Sequence, residues 1–286
     1  MADITVAQKQ AYTAGFILAF QQTASKLRGA VRDDGVISGK RVFFDKIGAE
    51  TANRRTTRNQ DTTPSDPNHT RRAGVMYPYS WARLVDPMDV RRLGKDPTDS
   101  YTRNGIMAFN RSIDDEIIAS SLGTAYEGES GETATAFLAA QQIVHGGVGL
   151  TLDKLIDLRA AFMANEVPED EPLYFAYTSN QLKDLLNDNK LTSADYNTVK
   201  VLAAGRLEGT WMGFNWINSE RLSKSGTTRS CIAWAKSAMG MIVSEDIKVR
   251  IGERADKSYV TQIYVEMDIG AVRIMDEGVF EVQCTE

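Results

Sequence analysis

The sequence predicts a mixed α+β chain, and three observations predict it. A 26-residue stretch from Pro97 to Leu122 repeats apolar residues at helical spacing. The tail from Asp246 to Cys284 is mostly extended in character, with Val and Ile at both parities, as in a strand covered on both faces. Between two apolar runs lies "NRRTTRNQDTTPSDPNHTRR", Asn53–Arg72, which holds no Val, Ile, Leu, Met, Phe, Trp, Tyr, Cys or Ala. Such an arm buries no apolar surface, so nothing inside it offsets the entropy of ordering it.

At the N-terminus, Tyr12, Phe16, Phe20, Thr23 and Leu27 recur at helical spacing. This predicts an amphipathic helix over the first thirty residues, with Tyr12, Phe16 and Phe20 packing on the chain's own body or on a neighbour. "DDGVISGKRVFFDKIG" reads as short strands punctuated by glycine. "RVFFDKIGAE" and "VMYPYSWARLV" flank the polar arm and are expected to pair as a long hairpin with the arm as its tip. In the long helix Asp96 suits the N-cap, Pro97 the first helical position and Asp99 the positive end. Ile106, Phe109, Ile113 and Ile117 form one stripe, with the last two expected to face the C-terminal strands. Gly123 is expected to close the helix in the left-handed region. Its length comes to about 39 Å, and Gly105 inside it costs about 1 kcal/mol relative to alanine.

"EGESGETATAFLAAQQIVHGGVG" reads as strand and turn. "LTLDKLIDLRAAFMANEVP" predicts a helix capped by Thr151 with Leu152, Leu155, Ile156, Phe162 and Met163 inward. "PLYFAYTSNQLKDLLND" predicts a buried strand and a helix capped by Ser179, and "GTWMGFNWINSERL" and "SCIAWAKSAMGMIV" add strands. There is no internal repeat.

The 286 residues (31.6 kDa) fit one large or two modest domains, and 42% apolar content supports a sizeable core. Net charge of −5 and a pI near 5.3 exclude a protein that coats nucleic acid with its whole surface. The charge is uneven: Arg41 to Lys95 carries +5 and the remainder −10. A basic projection on an acidic body can be drawn to another copy of that body, reach for nucleic acid, or simply be solvated. Cys231 and Cys284 are too few for a disulfide framework, which reads as a cytosolic chain. The first twenty residues lack a basic n-region, and no window approaches a membrane-spanning length.

Reactive chemistry is thin. No glycine-rich phosphate loop is followed by Lys-Ser or Lys-Thr. "HGGVG" at His145 has the look of an oxyanion loop but lacks the G-x-S-x-G elbow that would accompany it, so a turn histidine is the simpler reading. Two histidines and two cysteines, all far apart, form no metal cluster. Asp114, Asp115 and Glu116 are consecutive on a helix and splay over different faces. No catalytic, cofactor-binding or metal-binding residue is expected.

The order of parts resembles the major capsid proteins of tailed bacteriophages, with the HK97-like fold. "DSYTRNGIMAFNRSIDDEIIASSLG" is similar to that family's spine helix, "LTLDKLIDLRAAFMANEVPEDEPLYFAYTSNQLKDLL" to the opening of its axial domain, and "GERADKSYVTQIYVEMDIGAVRIMDEGVFEV" to its closing strands. The resemblance implies an N-terminal arm over residues 1–38, an extended loop over 39–95 and a peripheral domain with the spine helix over 96–149. It further implies an axial domain over 150–245 and closing strands, mostly peripheral, over 246–286. It implies that Arg54, Arg55, Arg58, Arg71 and Arg72 of the extended loop contact a neighbouring subunit. It also implies self-assembly into pentamers and hexamers of an icosahedral shell in the virion, after assembly in the host cytoplasm. Expected partners are a scaffolding protein, separate because the arm already begins at Met1, a portal, decoration proteins and weakly held double-stranded DNA, with no cofactor and no membrane. Two alternatives stand beside this reading. One is an encapsulin-type bacterial nanocompartment shell of the same fold. The other is a nucleic-acid-binding protein using the basic loop 53–72, against which the absence of aromatics there argues.

Overall fold

A computed structural model describes residues 18–36, 39, 41–62, 64–93, 97–187, 207 and 209–286. The elements begin with β1 (Arg32–Val36), β2 (Arg41–Ile47), β3 (His69–Val75), β4 (Tyr77–Val85), α1 (Pro87–Leu93) and α2 (Thr98–Leu122). β5 (Ala125–Glu127), β6 (Thr133–Thr135), β7 (Gln142–Ile143), α3 (Leu152–Ala164), β8 (Leu173–Tyr177) and α4 (Ser179–Asn187) follow. The chain closes with β9 (Thr210–Trp211), β10 (Phe214–Asn218), β11 (Lys224–Ser225), β12 (Thr228–Ala235), β13 (Met239–Arg254), β14 (Val260–Arg273) and β15 (Val279–Thr285). The mixed α+β class is as expected. Two compact units share these elements: residues 1–24, 78–111 and 245–267 form one, and 25–77, 112–244 and 268–286 the other.

In the first unit, β14 lies between β13 and β4. Arg250 on β13 pairs with Glu266 on β14 at 2.7 Å, and Arg83 lies over the Tyr101 ring at 5.2 Å. Gly105 is required where it stands, because a Cβ there would meet the Trp81 ring at 2.9 Å. The helix thus runs unbroken through its glycine, whose small size lets a tryptophan approach the backbone. The predicted N-terminal helix does not extend over residues 18–27, which have neither helix nor strand and are followed by one 3₁₀ turn, Arg28–Ala30. Side chains of α2 hold this segment instead: Asn110 donates to the Thr23 carbonyl at 2.9 Å, and Gln21 donates to Asn104 at 2.9 Å and accepts from Arg111. Phe20 is fully exposed on its own chain, so it makes no intrachain packing, while Tyr12, Phe16 and Asp96 lie outside the described residues.

In the second unit a seven-stranded sheet runs β7-β15-β12-β8-β10-β9, with β11 beside β12. The closing strand β15 therefore pairs with β12, inside the sheet built by the 150–245 block. Packing against it, α3 sends in Leu155, Leu158 and Phe162, whose ring meets Phe280 at 4.6 Å and Phe214 at 5.7 Å. Ile156 and Met163, expected inward, are 49% and 56% exposed. The helix is apolar on two sides, so periodicity alone could not choose between them. Thr151 caps α3 as expected, accepting from the Lys154 amide. The buried Lys154 ammonium donates to the carbonyls of Val148, Gly149 and Gln283 at 2.8–3.0 Å, and burial pushes its pKa down. The cap of α4 is Thr178 and not Ser179: Leu182 donates to the Thr178 carbonyl, and the Gln181 side chain accepts from the Thr178 amide at 3.0 Å.

The three consecutive acids of α2 do splay. Asp114 is fully buried and accepts from the amides of Lys26 and Leu27 and from the Ser25 hydroxyl, Asp115 pairs with Arg221, and Glu116 borders a groove. Ile113 and Ile117 are buried. Ile117 lines a small cavity together with Leu27, Ala176 of β8 and Trp234 of β12. Gly123 ends α2 without a positive φ. Its amide donates to the Ala119 carbonyl at 2.9 Å, and a Cβ would meet that oxygen at 2.6 Å, so closeness and not handedness requires glycine.

Glu286 binds β11, β12 and α4 together. Its carboxylate, 2% exposed, accepts from Arg229, Gln181, Lys224 and Thr178 at 2.9–3.1 Å. Burial alone would raise its pKa; the four donors reverse this and hold it well below the usual carboxylate range. A folded-state pKa below the unfolded one stabilises above the unfolded value, about 4.3, and the contribution fades as pH falls below it. Glu286→Gln should therefore flatten the loss of stability between neutral pH and pH ~3 in urea titrations. An unchanged pH profile would show that this carboxylate is not the titrating group.

Candidate assembly surface

The projecting hairpin is built by β2 and β3, paired antiparallel from Arg41↔Val75 to Ile47↔His69. The Gly48 amide adds one rung to the Asn68 carbonyl at 2.9 Å. The hairpin is as predicted, but its second strand is "HTRRAGV" and not "VMYPYSWARLV", which supplies β4. The strand thus takes four residues from the stretch read as tip. Val42 and Phe44 turn inward against Met76, Ile242, Val272 and Ile274, and these hold the root. Gly74 is needed there, since a Cβ would fall 2.1 Å from the Ile242 methyl.

Beyond the root, the described residues of 48–68 carry neither helix nor strand, and nearly all are exposed. The distal turn centres on Asn59, with φ +62°, where the Gln60 side chain accepts from the Thr56 amide at 2.9 Å. Arg54, Arg55 and Arg58 flank this turn, exposed and with no partner among the described residues. Three of the five arginines singled out from sequence therefore sit together at the tip.

The other two do not. Arg71 donates to Asp45 at 2.6 Å across the two strands and lies over Phe43. That hydrogen bond, against a small opposing effect of burial, holds the Asp45 carboxyl below its ordinary pKa. Arg72 is 2% exposed and committed within its own chain, to Glu127 at 2.9 Å and to Asp276, so it cannot serve as a surface contact. Asp276 is shared with the fully buried Arg273, whose guanidinium also donates to the carbonyls of Ser121 and Gly123 at 2.8 Å each. This cluster fixes the hairpin root to the end of α2 and to the end of β14. Sequence reading missed Asp276, Arg273 and Glu127. The one local signal was Arg273 three residues before Asp276; Arg72 is 204 positions from its partner.

Among the described residues no three His, Cys, Asp or Glu side chains gather as a metal site, and no helix is long and apolar enough to cross a membrane. Cys231 and Cys284 are buried free thiols, and burial pushes the Cys231 thiol up. His145 is exposed, its Nδ1 accepting from the Gly147 amide at 2.9 Å, as a turn histidine does.

A family model described as "Phage capsid protein" matches residues 4–286. No curated protein matches the chain. Among solved structures, a chain of Mycobacterium phage Che8 is similar at 17% identity, covering 96% of each chain, with a TM-score of 0.72. The capsid structure of cyanophage P-SCSP1u aligns at 14% identity over 99% of this chain and 94% of the other, with a TM-score of 0.74. The capsid of Ralstonia phage GP4 aligns at 10% identity over 97% and 95%, again at 0.74. At such identities the likeness speaks for the fold.

Proposed function

We propose that this chain, which belongs to the phage capsid protein family, is the major structural subunit whose copies assemble into a phage shell. The fold is HK97-like, as the resemblance implied. The observation that carries the function is the family match, which spans residues 4–286. The physical features agree with a protein whose work is contact between copies. A polar hairpin projects from a buried, charge-locked root and presents three arginines with no partner among the described residues. An enzyme needs a convergent set of reactive groups, and the role proposed here is structural.

On this reading the copies form pentamers and hexamers, built with a separate scaffolding protein around a portal, with decoration proteins as further partners. Packaged double-stranded DNA is held only by weak non-specific contact, as a net charge of −5 favours. The protein resides in the virion capsid after assembly in the host cytoplasm.

Expressed with its scaffold, the chain should give closed shells, tubes or ring-shaped capsomers in electron micrographs, and a fast-sedimenting species. Monomer alone under all conditions tested would overturn the proposal.

A further inference from the structure

We propose that Cys231 and Cys284 form a thiol pair that a peroxide oxidises to a reversible disulfide, tying β12 to β15 from inside the sheet. The inference does not rest on the shell-subunit reading. It starts from the register of the two strands: Cys231 stands opposite Val282, and Cys284 opposite Arg229. Opposite residues of an antiparallel pair share a face, as do residues two apart on one strand. The cysteines are therefore diagonal neighbours on one face. Both are fully buried, and their thiols are hydrogen-bonded to each other. The chain has only these two cysteines, and the fold brings them to one spot.

A buried cation stands beside them. The Lys154 ammonium is held by the carbonyls of Val148, Gly149 and Gln283, the last adjacent to Cys284 in the chain. Asp184 and Glu286 face the pair as acids, and Arg229 as a second cation. The two thiols are not equivalent. The hydrogen bond with Cys231 and the charge of Lys154 hold the Cys284 thiol below its ordinary pKa, against the effect of burial. Burial, with Cys284 as neighbour, pushes the Cys231 thiol up. Cys284 is thus the thiol that ionises and attacks, and Cys231 the partner that keeps its proton.

In the first step the Cys284 thiolate attacks one peroxide oxygen and the O–O bond breaks. The departing hydroxide takes up the proton that Cys284 released and leaves as water, and Cys284 becomes a sulfenic acid. The Cys231 sulfur then attacks the Cys284 sulfur, the S–O bond breaks, and hydroxide leaves with the Cys231 proton as a second water. The two thiols lose two electrons and the peroxide gains them. Diagonal neighbours stand about 7–8 Å apart, whereas a disulfide prefers Cα atoms about 4.4–6.8 Å apart. Closing the bond draws the strands together, and a bond under such strain is easily reduced. The oxidant reaches the pair by local opening of the sheet.

The test treats the folded chain with hydrogen peroxide, alkylates the remaining thiols in urea and maps the peptides by mass spectrometry. Circular dichroism checks that the chain is folded when it reacts. The inference expects a linked pair of peptides carrying Cys231 and Cys284, lighter by two hydrogens and restored by dithiothreitol. Two thiols that both remain alkylatable, links only between chains, or a bridge that forms only in unfolded chain each overturn it. Single variants test the roles. Cys231→Ala should leave a sulfenic acid at Cys284 that dimedone traps, and Cys284→Ala should give about tenfold less trapping at Cys231. Equal trapping overturns the assignment of Cys284 as the attacking thiol. Assembly is not read in these experiments, so their failure leaves the shell function untouched.

Discussion

Asp276→Asn should destabilise the unassembled subunit by about 3–5 kcal/mol, the usual cost of removing one partner from a buried ion pair. The carboxylate, 10% exposed, stands between two guanidiniums: Arg273, fully buried, donates Nε to it at 2.5 Å, and Arg72, 2% exposed, donates Nη2. Asparagine keeps the shape and loses the charge. Arg72 would then retain only Glu127, and Arg273 only backbone carbonyls and the Phe137 face. Neither guanidinium can shed its proton, so the strain appears as lost stability and not as a pKa shift. Urea denaturation of the subunit measures it. Replacing Arg72, Arg273 and Asp276 together by apolar residues of similar volume should cost much less, since the penalty of Asp276→Asn is the uncompensated charge. A loss below about 1 kcal/mol in the single variant would mean that water or Glu127 neutralises the cluster.

The same cluster shows where sequence reading succeeds and where it stops. The long helix was legible because its stripe and its length are local properties, although it begins at Thr98, one residue after the Pro97 expected to open it. The hairpin was legible as a polar arm between apolar runs, but its second strand was misplaced. His69, Thr70, Arg71 and Arg72 look like loop, and they form a strand because β2 supplies the ladder and distant acids supply the charge. Nothing near Arg72 announces Asp276. The N-terminal stripe failed over residues 18–27 because Asp114, Asn110 and Arg111 give the segment hydrogen bonds that compete with helix. The α3 error differs in kind. Leu158 is buried while Ile156 and Met163 are exposed, and a helix apolar on two faces carries no sign of which one the sheet will take. In a shell subunit an exposed apolar face is also less costly to keep, because assembly can cover it.

Arg54→Ala, Arg55→Ala and Arg58→Ala combined should leave the subunit's stability within about 0.5 kcal/mol of the parent, since these side chains are exposed and touch no described residue. The same variant should assemble poorly, or form shells that come apart at lower denaturant or higher salt. The two results follow from one reading: the tip has no apolar residue with which to dock on its own body, so on the proposed function its arginines act between copies. Each exposed pair contributes about 0–1 kcal/mol, too little to hold two isolated chains together. In a closed shell every copy repeats the contact, and breaking one while its neighbours hold returns it at high effective concentration, so small terms multiply into a large change in shell stability. Light scattering of assembly reactions and calorimetry of unassembled subunit separate the effects. A large drop in the subunit's melting temperature would show instead that the tip folds onto its own chain, and normal assembly would show that the arginines are merely solvated.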